Sequence, residues 1–243
     1  MVSLYFINNY FSSMETIVCI PGLGGRANLF SKYKGALSEY NLEFVDVINW
    51  KKAQDDIDQM IEKHEKVIFF CNCYGMQFAL RTIEKNPSKI SALVVIEPYL
   101  GEFLSWRKIA IVINWCILAI MNLTDRLGIK RTKFPEVDYN WVEKQPLYLQ
   151  PFYDIWHQSM TDYFEKIDDI LKFELPSHVD TKTFFIFSPK GYIRDPKKRE
   201  RLKNVFPNAE LVELGKNSHN IMTLSYDEIA TAIKNWLKLN VIK

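Results

Sequence analysis

Six short runs of apolar, β-branched or aromatic residues recur along this chain, and they constrain its fold more than any other feature. They fall at 16–20 (TIVCI), 42–47 (LEFVDV), 66–70 (KVIFF), 92–96 (ALVVI), 183–187 (TFFIF) and 210–214 (ELVEL). Each is too short for a core helix and rich in residues that suit a strand. Between them the apolar period changes to that of a helix. Leu29, Phe30, Tyr33, Ala36, Leu37 and Tyr40 recur at helical spacing, and a helix over 53–64 buries Ile57, Met60 and Ile61. Another helix leads from Gly75 to Lys85, and a basic one follows Pro196. The last starts at Ser225 with Glu228 three residues later, a capping-box pattern, and carries Ile229, Ile233, Trp236 and Leu237 on one face. Strands that are apolar almost throughout, alternating with helices, predict an α/β fold with a mostly parallel, doubly wound sheet covered on both faces.

Residues 99–182 break the alternation. They read as several helices marked by Trp106, Trp115, Trp141 and Trp156, and predict a helical cap over one end of the sheet. The predicted division is a core of 1–98 and 183–243 with the cap, 99–182, inserted between its halves. The stretch 109–123 is almost wholly apolar, but its fifteen residues fall short of the roughly 20 that span a bilayer. It predicts a helix covered on most sides, or one that binds acyl chains or a membrane surface. Met14 stands just before the first strand, so 1–13 reads as an extension or as a truncated edge strand.

A chain of 243 residues with 48% hydrophobic and 25% charged residues excludes disordered and low-complexity classes. A net charge of +2 argues against nucleic acid as the partner. Four cysteines, at 19, 71, 73 and 116, fit neither a disulfide framework nor a zinc pattern, and the N-terminus lacks the features of a secretory signal. These points predict a cytoplasmic protein with no metal and no cofactor.

The chemistry concentrates at Cys71-Asn72-Cys73-Tyr74-Gly75, between a strand and a helix. A tight strand-to-helix turn that lifts one nucleophile needs small residues two places before and after it, where neighbouring chains pass close. Cys71 and Gly75 fill those places and leave Cys73 as the nucleophile. There the positive end of the helix dipole favours a thiolate. Pro21-Gly22-Leu23-Gly24-Gly25 follows the first strand, and its backbone N–H groups suit an oxyanion; Leu23 and Tyr74 are the candidate donors. Gly215-Lys216-Asn217-Ser218-His219 follows the last strand, which seats His219 as the general base. His64, His157 and His178 have weaker contexts.

The order of glycine loop, elbow and late histidine resembles that of the α/β-hydrolase superfamily over roughly residues 15 to 240. The resemblance implies a cap after the superfamily's sixth strand, the fourth of this chain. It also implies a triad acid. The usual seat, after the next-to-last strand, reads Ser188-Pro189-Lys190-Gly191 and holds no acid. Haloalkane dehalogenases and their relatives look similar here, with the acid at the tip of the strand before the cap; that residue is Glu97. Asp195, four residues beyond Gly191, is the alternative.

A cysteine nucleophile moves the expected chemistry from plain ester hydrolysis toward acyl transfer or thioester chemistry, through an acyl-Cys intermediate. The expected enzyme is an acyltransferase, thioesterase or esterase acting on a small hydrophobic acyl substrate. A basic stretch of Lys190, Arg194, Lys197, Lys198, Arg199, Arg201 and Lys203 reads as a solvated helix face, or as one that attracts an acyl carrier protein or a coenzyme A phosphate. Two other readings stay open, a non-catalytic binding protein on the same fold and a membrane-surface lipid hydrolase.

Overall fold

The computed structural model describes residues 14–22, 27–47, 50–100, 116, 123, 160–215 and 221–241. The six runs form strands β1 (Thr16–Ile20), β2 (Asn41–Phe44), β3 (Val67–Asn72), β4 (Ile90–Ile96), β5 (Thr183–Phe187) and β6 (Ala209–Glu213). They pair in the order β2-β1-β3-β4-β5-β6, and every pair is parallel. The inner strands β1, β3, β4 and β5 are buried along nearly their whole length, whereas β2 and β6, at the edges, are half exposed. That is why the inner runs are apolar without alternation while 210–214 mixes in glutamates.

Two helical layers cover the sheet. Helices α1 (Tyr33–Ala36) and α7 (Tyr226–Asn240) lie on one face, where Ile17, Cys19, Ile68, Phe70, Ile96 and Phe184 point. Phe184 stacks flat on Trp236 of α7, with ring centroids 5.1 Å apart. The other face, with Val18, Ile20, Phe69, Cys71, Val95 and Phe185, packs against α2 (Trp50–Glu62), α3 (Gly75–Lys85), α4 (Met160–Lys172) and α5 (Pro196–Val205). Burying such a side chain stabilises by about 1.5–3 kcal/mol, so this three-layer core is what holds the sheet together.

Local readings are refined in three places. The helical spacing of 29–40 resolves into a 3-10 turn, Ala27–Phe30, and the short α1, yet Phe30, Tyr33, Leu37 and Tyr40 are all buried. Helix α2 begins at Trp50, ahead of the predicted start, because the indole engages α3 and α4. Ser225 stands at the N-cap of α7, after the short helix α6 (Ile221–Leu224), but its hydroxyl makes no capping bond. Instead its Oγ lies beside Gly215, and its N–H closes α6 on the Ile221 carbonyl.

Most of the predicted cap, together with residues 1–13, lies outside the described residues. Helix α4 returns the chain from that region and docks on the core. Asp169 accepts from Trp50 Nε1 at 2.5 Å and from Arg81 Nη2 at 2.8 Å. Of the apolar stretch 109–123 only Cys116 and Leu123 are described, both exposed. Among the described residues no helix is long and apolar enough to cross a membrane.

Candidate active site

In a sheet of this order the chain leaves β1 toward β2 on one side and β3 on the other, so a crevice opens between the carboxyl ends of β1 and β3. Gly22 follows the first of these strands and Cys73 the second. Cys73 has φ 48°, in the left-handed region that costs a non-glycine residue about 1–3 kcal/mol. Its N–H still donates to Ile96 O, at 2.8 Å, which prolongs the β3–β4 ladder by one residue. Its carbonyl already accepts from Met76 N, at 3.3 Å, in the first turn of α3. The chain therefore passes from strand to helix within two residues, Cys73 and Tyr74.

Glycines make the turn possible. A Cβ on Gly75 would stand 2.7 Å from the Pro21 carbonyl oxygen, and one on Gly22 would stand 3.2 Å from Cys73 Cβ. The elbow and the glycine loop are thus in direct contact. Cys71 occupies the other small position. It is fully buried, and burial followed by the neighbouring Cys19 pushes its thiol pKa well up, so it packs as an inert small hydrophobe. Cys73 keeps 8% of its surface exposed.

Glu97 is the second residue in left-handed conformation, with φ 52°. It follows β4 directly, and its N–H donates to Ile186 O at 2.8 Å. The side chain is buried, and Oε1 accepts from the backbone N–H of Ser188 at 2.6 Å. Ser188 and Gly191 form the turn after β5, closed by a 2.8 Å bond from Gly191 N to Ser188 O. A Cβ on Gly191 would stand 2.8 Å from Glu97 Oε1 and 3.0 Å from its Cδ. The Glu97 carboxylate therefore fills the space beneath the seat that the sequence left without an acid. Asp195 is turned to another task. It is exposed and caps α5, its Oδ1 accepting from Lys197 N at 2.9 Å.

Tyr74 stands at the N-cap of α3, its ring 4.3 Å from that of Tyr99. Leu23 and His219 lie outside the described residues. His219 falls within 216–220, and both flanks of that segment are described. Before it, Leu214 N donates to Phe187 O at 3.0 Å, one residue from the Ser188 that holds Glu97. Gly215, with φ 81°, abuts the far flank: a Cβ there would stand 2.9 Å from Ser225 Cβ and 3.4 Å from Ile221 Cβ.

Other histidines are engaged elsewhere. His64 lies by the first residue of β1, bonded to Thr16 Oγ1 and Glu43 Oε1, and His178 bonds Asp180 on the surface. His157 lies outside the described residues. Among the described residues no group of three or more His, Cys, Asp and Glu gathers as a metal site. The sequence reading missed the Ser188 N–H and the role of Gly191 as room for a carboxylate. The only trace of either was the missing acid itself.

No family model matches the sequence, and no curated protein matches it either. Solved structures do match. A marine microorganism esterase aligns with TM-score 0.68 and 15% identity over 93% of this chain and 96% of its own. MenH from S. aureus aligns with TM-score 0.67 and 14% identity over 93% and 94%. MGS-M2, an alpha/beta hydrolase enzyme from a Medee basin deep-sea metagenome library, aligns with TM-score 0.61 and 16% identity over 93% and 90%. At such identities the shared property is the architecture, and with its six-stranded parallel sheet and two helical layers this chain has the α/β-hydrolase fold.

Proposed function

We propose that the protein is an acyl-transfer enzyme whose nucleophile is Cys73, with His219 as general base and Glu97 as the acid that orients it. The observation that carries this reading is the elbow. A cysteine held at φ 48° between strand and helix, with Gly22 and Gly75 packed against it, is strained backbone spent on one side chain. Structures of the same fold include an esterase and an epoxide hydrolase, which supports hydrolase-type chemistry at this end of the sheet.

In the proposed cycle His219 takes the Cys73 proton, and the thiolate attacks the acyl carbonyl carbon. The Leu23 and Tyr74 N–H groups hold the oxyanion. The carbonyl re-forms as the bond to the leaving alcohol or thiol breaks, and that group receives the proton from His219. His219 then takes the proton of an accepting hydroxyl, amine, thiol or water as that group attacks the thioester carbon, and the C–S bond breaks to release Cys73 as thiolate beside the protonated His219. Glu97 fixes the tautomer of His219 and stabilises its charged form. Residues 99–182 act in this reading as the cap that excludes water and receives a hydrophobic acyl chain, and the basic stretch after Gly191 suits a donor carried on coenzyme A or an acyl carrier protein.

The test is intact-protein mass after incubation with a panel of ester and thioester donors, comparing the wild type with Cys73→Ala. The expected result is an adduct of acyl mass on the wild type alone, discharged on adding an acceptor. No adduct from any donor, together with Cys73 alkylation at the rate of a free thiol, would overturn the enzyme and leave a binding protein on the same fold.

A further inference from the structure

Among the described residues, Gln77 is the one side chain that leaves two polar atoms buried without a hydrogen bond. It stands in the first turn of α3, fully buried, and neither Oε1 nor Nε2 has a partner. Its neighbours Met76, Phe78, Ala79 and Leu80 are the buried apolar residues that a core position calls for. A leucine would fill the place and leave no amide unmet, so Gln77 costs the folded protein stability. Gln54 of α2 makes the contrast: its Nε2 donates to Asp58 at 2.9 Å and to Thr82 at 2.8 Å. Unmet buried groups are rare, and folds keep them where function requires them.

Helix geometry tells which end of α3 the amide serves. Gly75 faces the end of β1, since a Cβ there would stand 2.7 Å from the Pro21 carbonyl oxygen. Gln77, two residues on, is turned about 200° round the axis and lies on the side of α3 away from β1. Arg81, one turn further along, bonds Asp169 of α4 at 2.8 Å. Helical side chains lean toward the N-terminus, which directs the Gln77 amide away from Arg81 and over the turn that opens at Tyr74. The Tyr74 carbonyl takes the Gln77 N–H at 3.0 Å, and residues three apart on a helix hold their Cβ atoms about 5–6 Å from each other. The amide thus lies one helical turn from Cys73.

The geometry points to Gln77 as a specificity residue that takes a carboxamide on the acyl chain of the donor. An amide edge is met at both ends by a second amide edge: Oε1 accepts from the ligand N–H while Nε2 donates to the ligand carbonyl. The inference rests on the acyl-Cys73 reading above and narrows it, adding one polar group to an otherwise apolar chain. Because Gln77 is fully covered, any ligand must displace its cover. An apolar tip bears that cost without return, whereas a carboxamide recovers two hydrogen bonds.

The experiment follows acylation of Cys73 by intact-protein mass, with the Cys73→Ala background subtracted so that exposed Cys116 does not contribute. The donors are thioesters of several chain lengths whose acyl chains end in three tips of equal size: carboxamide, methyl ketone and isopropyl. At the best chain length the wild type is expected to acylate about tenfold faster from the carboxamide than from the isopropyl donor, with the acceptor-only ketone between them. Gln77→Leu is expected to reverse the order, since it leaves the carboxamide unmet in an apolar place. If Gln77→Leu does not fold, the wild-type series decides alone. Equal rates from the three tips in the wild type, or the same order in Gln77→Leu, would overturn the inference and leave Gln77 to hold a buried water. No adduct from any donor, together with alkylation of Cys73 at the rate of a free thiol, would instead overturn the acyl-Cys73 reading, and the inference with it.

Discussion

Cys73 and Glu97 end adjacent strands, and each adopts a backbone conformation that glycine would take at little cost. At about 1–3 kcal/mol apiece, the two together consume a sizeable part of the 5–15 kcal/mol by which a domain is stable. Their neighbours make the conformations obligatory. Cys73 N is tied to Ile96 O and Glu97 N to Ile186 O, so each residue is hydrogen-bonded to the strand beside it while its side chain turns off the sheet. Asp195, by contrast, sits in relaxed extended backbone as a helix cap. The two candidate acids therefore separate cleanly in a mutational test. If Glu97 is the triad acid as proposed, Glu97→Gln keeps the shape but removes the carboxyl that would orient the base, and is expected to lower kcat by about 10³–10⁴. Asp195→Ala is expected to leave kcat unchanged and to cost about 1 kcal/mol in unfolding experiments, the worth of a helix cap. The reverse pattern would move the acid to Asp195. At this scale the sequence was informative wherever spacing carries meaning, as at Cys73 and Gly75. It was silent on the bond from Ser188 N to Glu97, because that contact joins residues 91 apart and follows only from β4 and β5 being neighbours.

Helices α2, α3 and α4 are joined by carboxylates rather than by apolar packing alone. Asp169 on α4 bonds Trp50 of α2 and Arg81 of α3, and Arg81 lies 6.0 Å from the rings of both Phe78 and Phe173. Asp58 on α2 accepts from Gln54 at 2.9 Å, from Thr82 at 3.0 Å and from Lys85 at 2.7 Å, the last two on α3. Burial alone would push the Asp58 pKa up, but the bonds from Lys85, Gln54 and Thr82 outweigh it and hold the carboxyl below its ordinary value. A carboxyl depressed in the folded state contributes stability above its unfolded pKa and loses it as pH falls through the folded value. Glu39, held low by Lys234 of α7, acts in the same sense on the other face. The protein is therefore expected to lose stability from about pH 4 downward. Asp58→Asn is expected to flatten that acid limb while lowering the urea midpoint at pH 7 by the equivalent of about 1 kcal/mol. Equal acid slopes in the two proteins would remove Asp58 from the account. The existence of α2 and α3 was legible in the sequence, and α4 only as one of several helices expected over 99–182, but their ends were not. The start of α2 at Trp50 depends on α4, more than a hundred residues away. The spacing of 29–40 could not tell a continuous helix from two short turns that bury the same faces.

For the whole molecule, the parallel sheet covered on both faces was legible in the alternation of apolar runs with helices, but the order β2-β1-β3-β4-β5-β6 was not, because the common hand of strand–helix–strand crossovers sets the face a helix takes and not which strands are neighbours. The arrangement of 99–182 was not legible in that way, since a predicted run of helices carries no such rule. Charge adds a property that no single element has. Residues 190–203 hold seven basic side chains against two acidic ones, in a chain whose net charge is only +2. This stretch starts at the turn whose Gly191 lies on the Glu97 carboxylate, so the positive face borders the proposed site. Arg199 is spent on structure, stacked 4.6 Å over Phe187 and paired with Glu213 at 2.8 Å. Lys190, Arg194 and Lys197 are exposed, and their field would draw a phosphate-bearing or acidic acyl carrier toward the crevice and do little for a neutral ester. Replacing all three by glutamate is expected to raise KM for donors linked to coenzyme A or an acyl carrier protein about tenfold at low salt, and to leave kcat and the KM of neutral esters unchanged. Because the Debye length is about 8 Å at 0.15 M salt, the difference from wild type should shrink as salt is added. A KM for charged donors that responds neither to the substitutions nor to salt would make the basic face a solvated surface, with the donor held by the crevice alone.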